Sequence, residues 1–284
     1  MTDENSPRKI AADGIYDIDM DTYHSDCCVG PSISSSGLRT ISKECPLEYW
    51  SFSYLNPDRY PEPDRDHFAF GRAAHCLLLG DEDFKSRYAV RPEEWDNWRT
   101  EASKEWKAKK KADGFTVIEP KDLELIKAMA VVLEKHPMTE TLLDGDIEKS
   151  LIWQDPETGI WLKARPDIIP TFDNTVNDYK TTTSIIRPYE LSRDIAKYGY
   201  HMQLGLVEEG LEHLQGRSNM NMVLTFQMTK APHHVSAVEL SPEYISIGRQ
   251  QIRSALRLFA DCLDKGDWPG YSEGIPVLDP PEWM

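Results

Sequence analysis

Three features of the sequence predict an α/β fold, with a mixed central sheet flanked by helices and a mainly helical N-terminal part. Short segments at Ile160–Ile169 and Thr175–Thr181 alternate with the period of two that marks a strand. A further pair, Met222–Thr229 and Val235–Glu239, reads as a hairpin. Around them run amphipathic or apolar helical stretches, among them Lys121–Lys135, Tyr198–Leu214 and the helix opened by Ser241-Pro242-Glu243 and reaching Lys265. A chain of 284 residues can bury a full core and is most simply one domain. It divides into a loose tail over 1–14, a mainly helical part over 15–147, and a sheet with its flanking helices over 148–284.

From the N-terminus, Met1–Gly14 is polar and reads as that tail. Ser34, Ser35 and Ser36 can cap a helix from about Gly37, with Leu38 and Ile41 on one face, which stops near Pro46. The prolines and charges between Leu55 and Asp66 form a loop, and Phe68–Leu79 resumes as an apolar helix on which Gly71 and His75 share a face. A histidine on such a helix is ordinarily a satisfied core residue. From Arg99 to Lys111 the chain carries Lys104, Lys107, Lys109, Lys110 and Lys111 around Trp106, either as a solvated face or as a phosphate contact. The Lys121–Lys135 helix packs Leu123, Ile126 and Leu133, and a short helix through Leu142-Leu143 ends near Gly145. Glu148 opens a strand over Ser150–Gln154, and Asp155–Gly159 turns the chain back with proline and glycine at their usual turn positions.

The next stretch concentrates the chemistry. In Ile160–Ile169 the alternation puts Ile160, Leu162 and Ala164 on one side, and Trp161, Lys163, Arg165 and Asp167 on the other. After a turn at Pro170–Asn174, the second strand places Val176, Asp178 and Lys180 on one face. If the two strands close as a hairpin, Asp167 lies beside Asp178. Two carboxylates about 4 Å apart repel by roughly 4 kcal/mol at an effective dielectric of about 20. One lysine does not neutralise both, so a shared proton or a hard divalent cation with oxygen ligands is required. Downstream, Pro188 starts a helix, Tyr200, Gln203 and Val207 share a face of the following one, and the aromatic tail from Trp268 to Trp283 packs on the core or on a neighbouring subunit.

Composition removes several function classes. The five cysteines, Cys27, Cys28, Cys45, Cys76 and Cys262, form no CxxC pair, which fits a reducing compartment and speaks against zinc. No apolar run approaches the length of a membrane span and no signal-peptide pattern is present, so a cytoplasmic location without membrane contact is expected. A net charge of -16 opposes nucleic-acid binding over the whole surface while leaving room for a local basic channel. There is no phosphate-binding Gly-rich loop, hence no ATP-driven motor.

Taken in order, Ser34-x-Ser36-x-Leu38, Cys45-Pro46-x-x-Tyr49, Gly71-x-x-x-His75, Pro166-Asp167, Asp178-Tyr179-Lys180 and Gln203 resemble the PDDEXK nuclease superfamily, most closely its RecE-type exodeoxyribonuclease VIII branch and phage relatives. The resemblance implies a restriction-endonuclease-like core. It also implies Mg²⁺, with Mn²⁺ as a substitute, held by His75, Asp167, Asp178 and the Tyr179 carbonyl. Lys180 would position the attacking water and Gln203 would sit at the edge of the site. Glu148 is a candidate further acid touching the metal or its ligands. Where the family carries a tyrosine four residues after the glutamine, this chain has Val207, with Tyr200 as a stand-in. No iron-sulphur cluster is expected, since only Cys262 follows the core. The implied activity is 5′ to 3′ resection of linear double-stranded DNA ends in phage or prophage recombination, by a homo-oligomeric ring partnered by a single-strand annealing recombinase. The alternatives are an endonuclease or repair nuclease of the same superfamily, and a catalytically silent module binding DNA ends or recombination proteins; retention of Lys180 disfavours the last.

Overall fold

The computed structural model describes residues 9–61, 66–78 (side chains from 69), 84–137, 139–140, 145–171, 174–272, 274–275, 277 and 279–280. In chain order the N-terminal part contains β1 (Gly14–Tyr16), α1 (Met20–His24), β2 (Ser32–Ser34), α2 (Ser35–Lys43), α3 (Pro46–Phe52), α4 (Asp66–Leu78), α5 (Phe84–Arg87), β3 (Tyr88–Val90), α6 (Glu101–Ala112), β4 (Thr116–Ile118) and α7 (Pro120–Leu133). The remainder contains β5 (Asp146–Ile147), β6 (Ser150–Gln154), β7 (Trp161–Ala164), β8 (Ile168–Ile169), β9 (Thr175–Thr182), α8 (Pro188–Tyr198), α9 (Tyr200–Gln215), β10 (Asn221–Met228), β11 (Val235–Glu239) and α10 (Pro242–Lys265).

The class is the expected α/β with mixed pairing, but the sheet is partitioned. One sheet runs β1-β6-β7-β2 and another β11-β10-β9, with two-stranded pairs β3-β4 and β5-β8 beside them. In each of the larger sheets one pairing is parallel, β2 with β7 and β9 with β10, and the others are antiparallel. The parallel β9–β10 pair needs a long crossover, which α8 and α9 supply.

Ile160–Ile169, expected as one strand, is broken at Arg165–Asp167. Pro166 has no N–H to give to a ladder, and the Asp167 carbonyl accepts from the Glu148 N–H at 2.9 Å instead of from a strand partner. The two acids therefore do not meet across a hairpin, since β7 pairs with β6 and β2 while β9 pairs with β10. Nor is the second face of β7 polar: Trp161 and Lys163 are buried with the rest of the strand.

Two apolar cores meet at β9. The larger gathers Leu38, Trp153, Leu162, Val176, Met202, Leu206, Leu224 and Phe259 between the sheets and α2, α9 and α10. The second gathers Ala73, Ala74, Ile126, Met129, Ile168 and Tyr179 around α4 and α7. Val176 and Tyr179 thus leave opposite faces of one strand into different cores. Helices α9 and α10 touch closely because both present glycine: a Cβ on Gly248 would lie 2.3 Å from the His201 carbonyl oxygen.

Helix α2 is capped by Ser34 and α10 by Ser241, whose hydroxyl accepts from the Tyr244 N–H at 3.2 Å. The stretch expected as tail is attached from Lys9 onward, since Ile10 bridges Cys28 and packs beside Trp161. Trp268 stacks on Trp50 at 4.4 Å, so the start of the aromatic tail packs on the chain's own core. The expected short helix through Leu142-Leu143 lies outside the described residues, as do Pro281–Met284. No described helix is long and apolar enough to cross a membrane.

Candidate active site

The period of β9 puts Asp178 and Lys180 on the face turned to α9. Asp178 is fully buried; its Oδ1 accepts from Gln203 Nε2 at 2.9 Å, and its Oδ2 forms an ion pair with the Lys180 ammonium. The Tyr200 ring, one helical turn before Gln203, covers that ammonium at 5.4 Å. Val207, at the position of the family tyrosine, is buried in the larger core. Tyr200 is therefore the aromatic residue found against Lys180.

Asp167 reaches the same strand from the bend just before β8. Its Oδ2 accepts from the Tyr179 N–H at 2.5 Å and lies 2.9 Å from His75 Nε2, which is also 2.9 Å from the Tyr179 carbonyl oxygen. So the expected meeting of Asp167 with Asp178 occurs through the peptide groups around Tyr179 rather than through a ladder. The Tyr179 side chain fixes that backbone from behind: its hydroxyl donates to Gln227 Oε1 at 2.5 Å, and Gln227 Nε2 donates to the Met129 carbonyl at 2.9 Å.

The four charged groups set one another. Burial, then the charge of Asp167, pushes the Asp178 carboxyl up, against the pull of Lys180. Burial would raise Asp167 as well, but His75, Lys180 and the Tyr179 amide hold it below the usual carboxylate range. Burial works against the Lys180 ammonium and is overcome by Asp178 and Asp167, so its pKa is raised. His75, which burial would make neutral, is held protonated by Asp167 up to about 9. The second positive charge that one lysine could not supply thus comes from His75.

Among the described residues no three His, Cys, Asp or Glu side chains are gathered closely enough to hold an ion by side chains alone. The Tyr179 carbonyl enlarges the donor set: with His75 Nε2 and Asp167 Oδ2 it forms a compact group, and the buried Asp178 Oδ2, whose partner is the Lys180 ammonium, adds a further carboxylate oxygen on the same strand. Oxygen-rich with a single imidazole, the set fits Mg²⁺ or Mn²⁺ better than a soft metal, and a divalent ion would take the place of the proton on His75.

Glu148 is close by but differently employed. Its carboxylate receives Arg87 at 3.4 Å and Arg165 at 3.3 Å, and its backbone, at a φ of 50°, delivers its N–H to the Asp167 carbonyl. It steadies the bend that presents Asp167. Lys104, Lys107, Lys109, Lys110 and Lys111 lie on α6, apart from this group. Two neighbours escaped the sequence reading. Gln227 sits 48 residues from its partner Tyr179, with no local pattern to announce it. Arg39, directly after Leu38 in the serine motif, donates to the Tyr198 carbonyl at 3.2 Å and feels the charges of Tyr200 and Asp178, although burial lowers its pKa overall.

A mixed sheet carrying Asp178-Tyr179-Lys180, with a second acid delivered to the same strand after a proline, defines the PDDEXK class of folds. More narrowly, residues 34–280 match the family described as PDDEXK-like domain of unknown function (DUF3799), and the chain belongs to it. A crystal structure of a protein from Eubacterium rectale, described as a candidate exonuclease, superposes with a TM-score of 0.60 over 92% of this chain and 91% of that one. At 10% identity this is a likeness of fold. No curated protein matches the chain.

Proposed function

We propose that the protein is a divalent-metal-dependent deoxyribonuclease that resects linear duplex DNA 5′ to 3′ for recombination. The observation that carries this reading is the buried Asp178–Lys180 pair set against the group formed by His75, Asp167 and the Tyr179 carbonyl. His75, Asp167, Asp178 and that carbonyl would hold Mg²⁺ or Mn²⁺, which would supply Lewis-acid polarisation of a phosphate oxygen. The chain's own residues do the positioning. Lys180 is charged at neutral pH, so it is a donor and not a base: it orients the attacking water and meets negative charge as it grows on the phosphate. Gln203 and Tyr200 keep Asp178 and Lys180 in place, and Glu148 with Arg165 keeps the bend before Asp167.

Lacking a phosphate-binding loop, the chain would stay on its track as a head-to-tail ring of three or more subunits around the duplex, handing its single strand to an annealing recombinase. The net charge of -16 supports this, because an acidic exterior leaves an enclosed basic path as the favourable one for phosphates. The test compares end-labelled linear duplex, nicked circle and covalently closed circle, with Mg²⁺ and with EDTA. Linear duplex should be consumed from its 5′ ends only with metal, and the closed circle spared. Cutting of closed circles at a similar rate would replace this reading with an endonuclease, and light scattering at 32.6 kDa under active conditions would remove the ring.

A further inference from the structure

Trp95, Trp98 and Trp106 form a cluster that the cores do not use. Trp98 and Trp106 lie nearly parallel with ring centres 6.3 Å apart, and Trp95 meets Trp106 edge-on at 6.0 Å. Every other tryptophan in the described residues, Trp50, Trp153, Trp161 and Trp268, belongs to a hydrophobic core or packs against one. These three belong to none and remain partly exposed. A local core would hide its indoles, and this cluster instead carries cations on its faces. Lys107 Nζ lies 5.2 Å from the centre of Trp98, Arg91 Cζ 5.6 Å from it, and Lys110 Nζ 6.0 Å from Trp106 and 4.7 Å from Phe115. Helix α6 carries five lysines against Glu101 and Glu105 in a chain of net charge -16.

We propose that this face binds single-stranded DNA, with Trp95, Trp98 and Trp106 stacking on unpaired bases and Lys107, Lys110 and their neighbours on α6 taking the phosphates. The argument for a single strand is geometric. In a duplex the flat faces of the bases are covered by their neighbours, so lysines alone would serve and exposed indoles would add nothing; a single strand offers both π faces and phosphates. Lys107 now covers the face of Trp98 that a base would take. Its long side chain can swing to a phosphate as the base arrives, exchanging one cation contact for another. Trp98 is held ready by Glu119, whose carboxylate it hydrogen-bonds and which starts α7. Helix α6 packs on β4, and β4 on α4, the helix of His75, so a chain of packed elements joins the face to the candidate active site. The inference rests on the nuclease reading only for the reason a single strand would be at hand.

The test is intrinsic tryptophan fluorescence of the full chain titrated with oligo-dT and, separately, with a blunt duplex of equal length, in EDTA so that no cleavage intervenes. Oligo-dT should quench emission saturably, and Trp95→Ala with Trp98→Ala should weaken its binding about tenfold while changing duplex affinity less than about twofold. Trp95→Phe with Trp98→Phe should recover most of the lost affinity, because a phenyl ring still stacks; circular dichroism and melting establish that each variant is folded. Equal losses on duplex and oligo-dT, or Ala and Phe variants that bind oligo-dT as the parent does, would overturn the proposal. Since binding is read without metal, a chain that binds oligo-dT yet cuts nothing with Mg²⁺ would sink the nuclease reading and leave this site standing.

Discussion

Lys163 on β7 and Lys180 on β9 are both lysines taken out of water, and their surroundings differ in one respect that decides what each can do. Lys163 donates to the Tyr23 carbonyl at 2.6 Å and the Ser25 carbonyl at 3.3 Å, with Cys27 Sγ at 4.0 Å and the Tyr23 and Tyr54 rings at 5.4 and 5.6 Å. Among the described residues no ion pair with a carboxylate is formed there, and burial lowers its pKa. Lys180 has the opposite company, Asp178 against it and Asp167 near, and its pKa is raised despite burial. Burial alone makes a lysine a tie between the loop after α1 and β7. Burial beside carboxylates makes one a fixed charge, paired with Asp178 and drawn by Asp167.

The sharpest test of that contrast is Asp178→Asn, which should lower single-turnover cleavage by about a thousandfold or more, corresponding to roughly 4 kcal/mol. The melting temperature should hold or rise, since the repulsion from Asp167 is removed; calorimetry with Mn²⁺ should show weakened metal binding. A variant that cuts at the parental rate would end the assignment. Next in size, Lys180→Met should lose cleavage by about a hundredfold or more with DNA binding little changed, because its work is done in the transition state. Lys163→Met should leave cleavage within about threefold and instead cost about 1–3 kcal/mol of stability in urea, as buried carbonyls lose their donor. If both substitutions slowed cleavage alike, the distinction between the two lysines would collapse.

A smaller effect sharpens the same comparison through pH. Because burial lowers the folded-state pKa of Lys163 below 10.5, the unfolded chain binds more protons between that lowered value and 10.5, and stability contributed by this group rises with pH across the window. The difference in urea midpoint between the parent chain and Lys163→Met should therefore widen as pH rises toward 10.5; a constant difference would mean that the ammonium is not penalised. The smallest effect concerns lysines in neither class. Lys109, Lys110 and Lys111 changed to Ala should flatten the salt dependence of DNA binding, each lost phosphate contact removing about 0.9 from the slope of log K against log salt.

Much of the candidate site's geometry is legible in the chain because it depends on local period. The two-residue repeat of Thr175–Thr182 puts Asp178 and Lys180 together whatever the strand pairs with, and Gln203 follows from a helix whose phase is set by its apolar residues. The partition of the sheet was not legible. Alternation says which side chains share a face but not whether that face meets water, so it puts Lys163 and Asp167 on a polar side that in the fold is buried. The break after Ala164 could have been read from Pro166, which denies the ladder a donor. His75 meets the Tyr179 carbonyl across 104 residues, and no spacing in the chain encodes that distance; only a motif shared with other proteins pointed to it.

Strand β9 divides the two cores, with Tyr179 committed to one side and Val176, beneath Asp178 and Lys180, to the other. Its register is therefore an index for the chemistry. One inserted residue before Asp178 would send the carboxylate toward Met129 and the tyrosine toward Gln203, so cutting and folding would fail together. Point substitutions keep the index and can separate them. The fold can therefore absorb a substitution in this segment where it cannot absorb a change of length, even when the substitution ends cleavage.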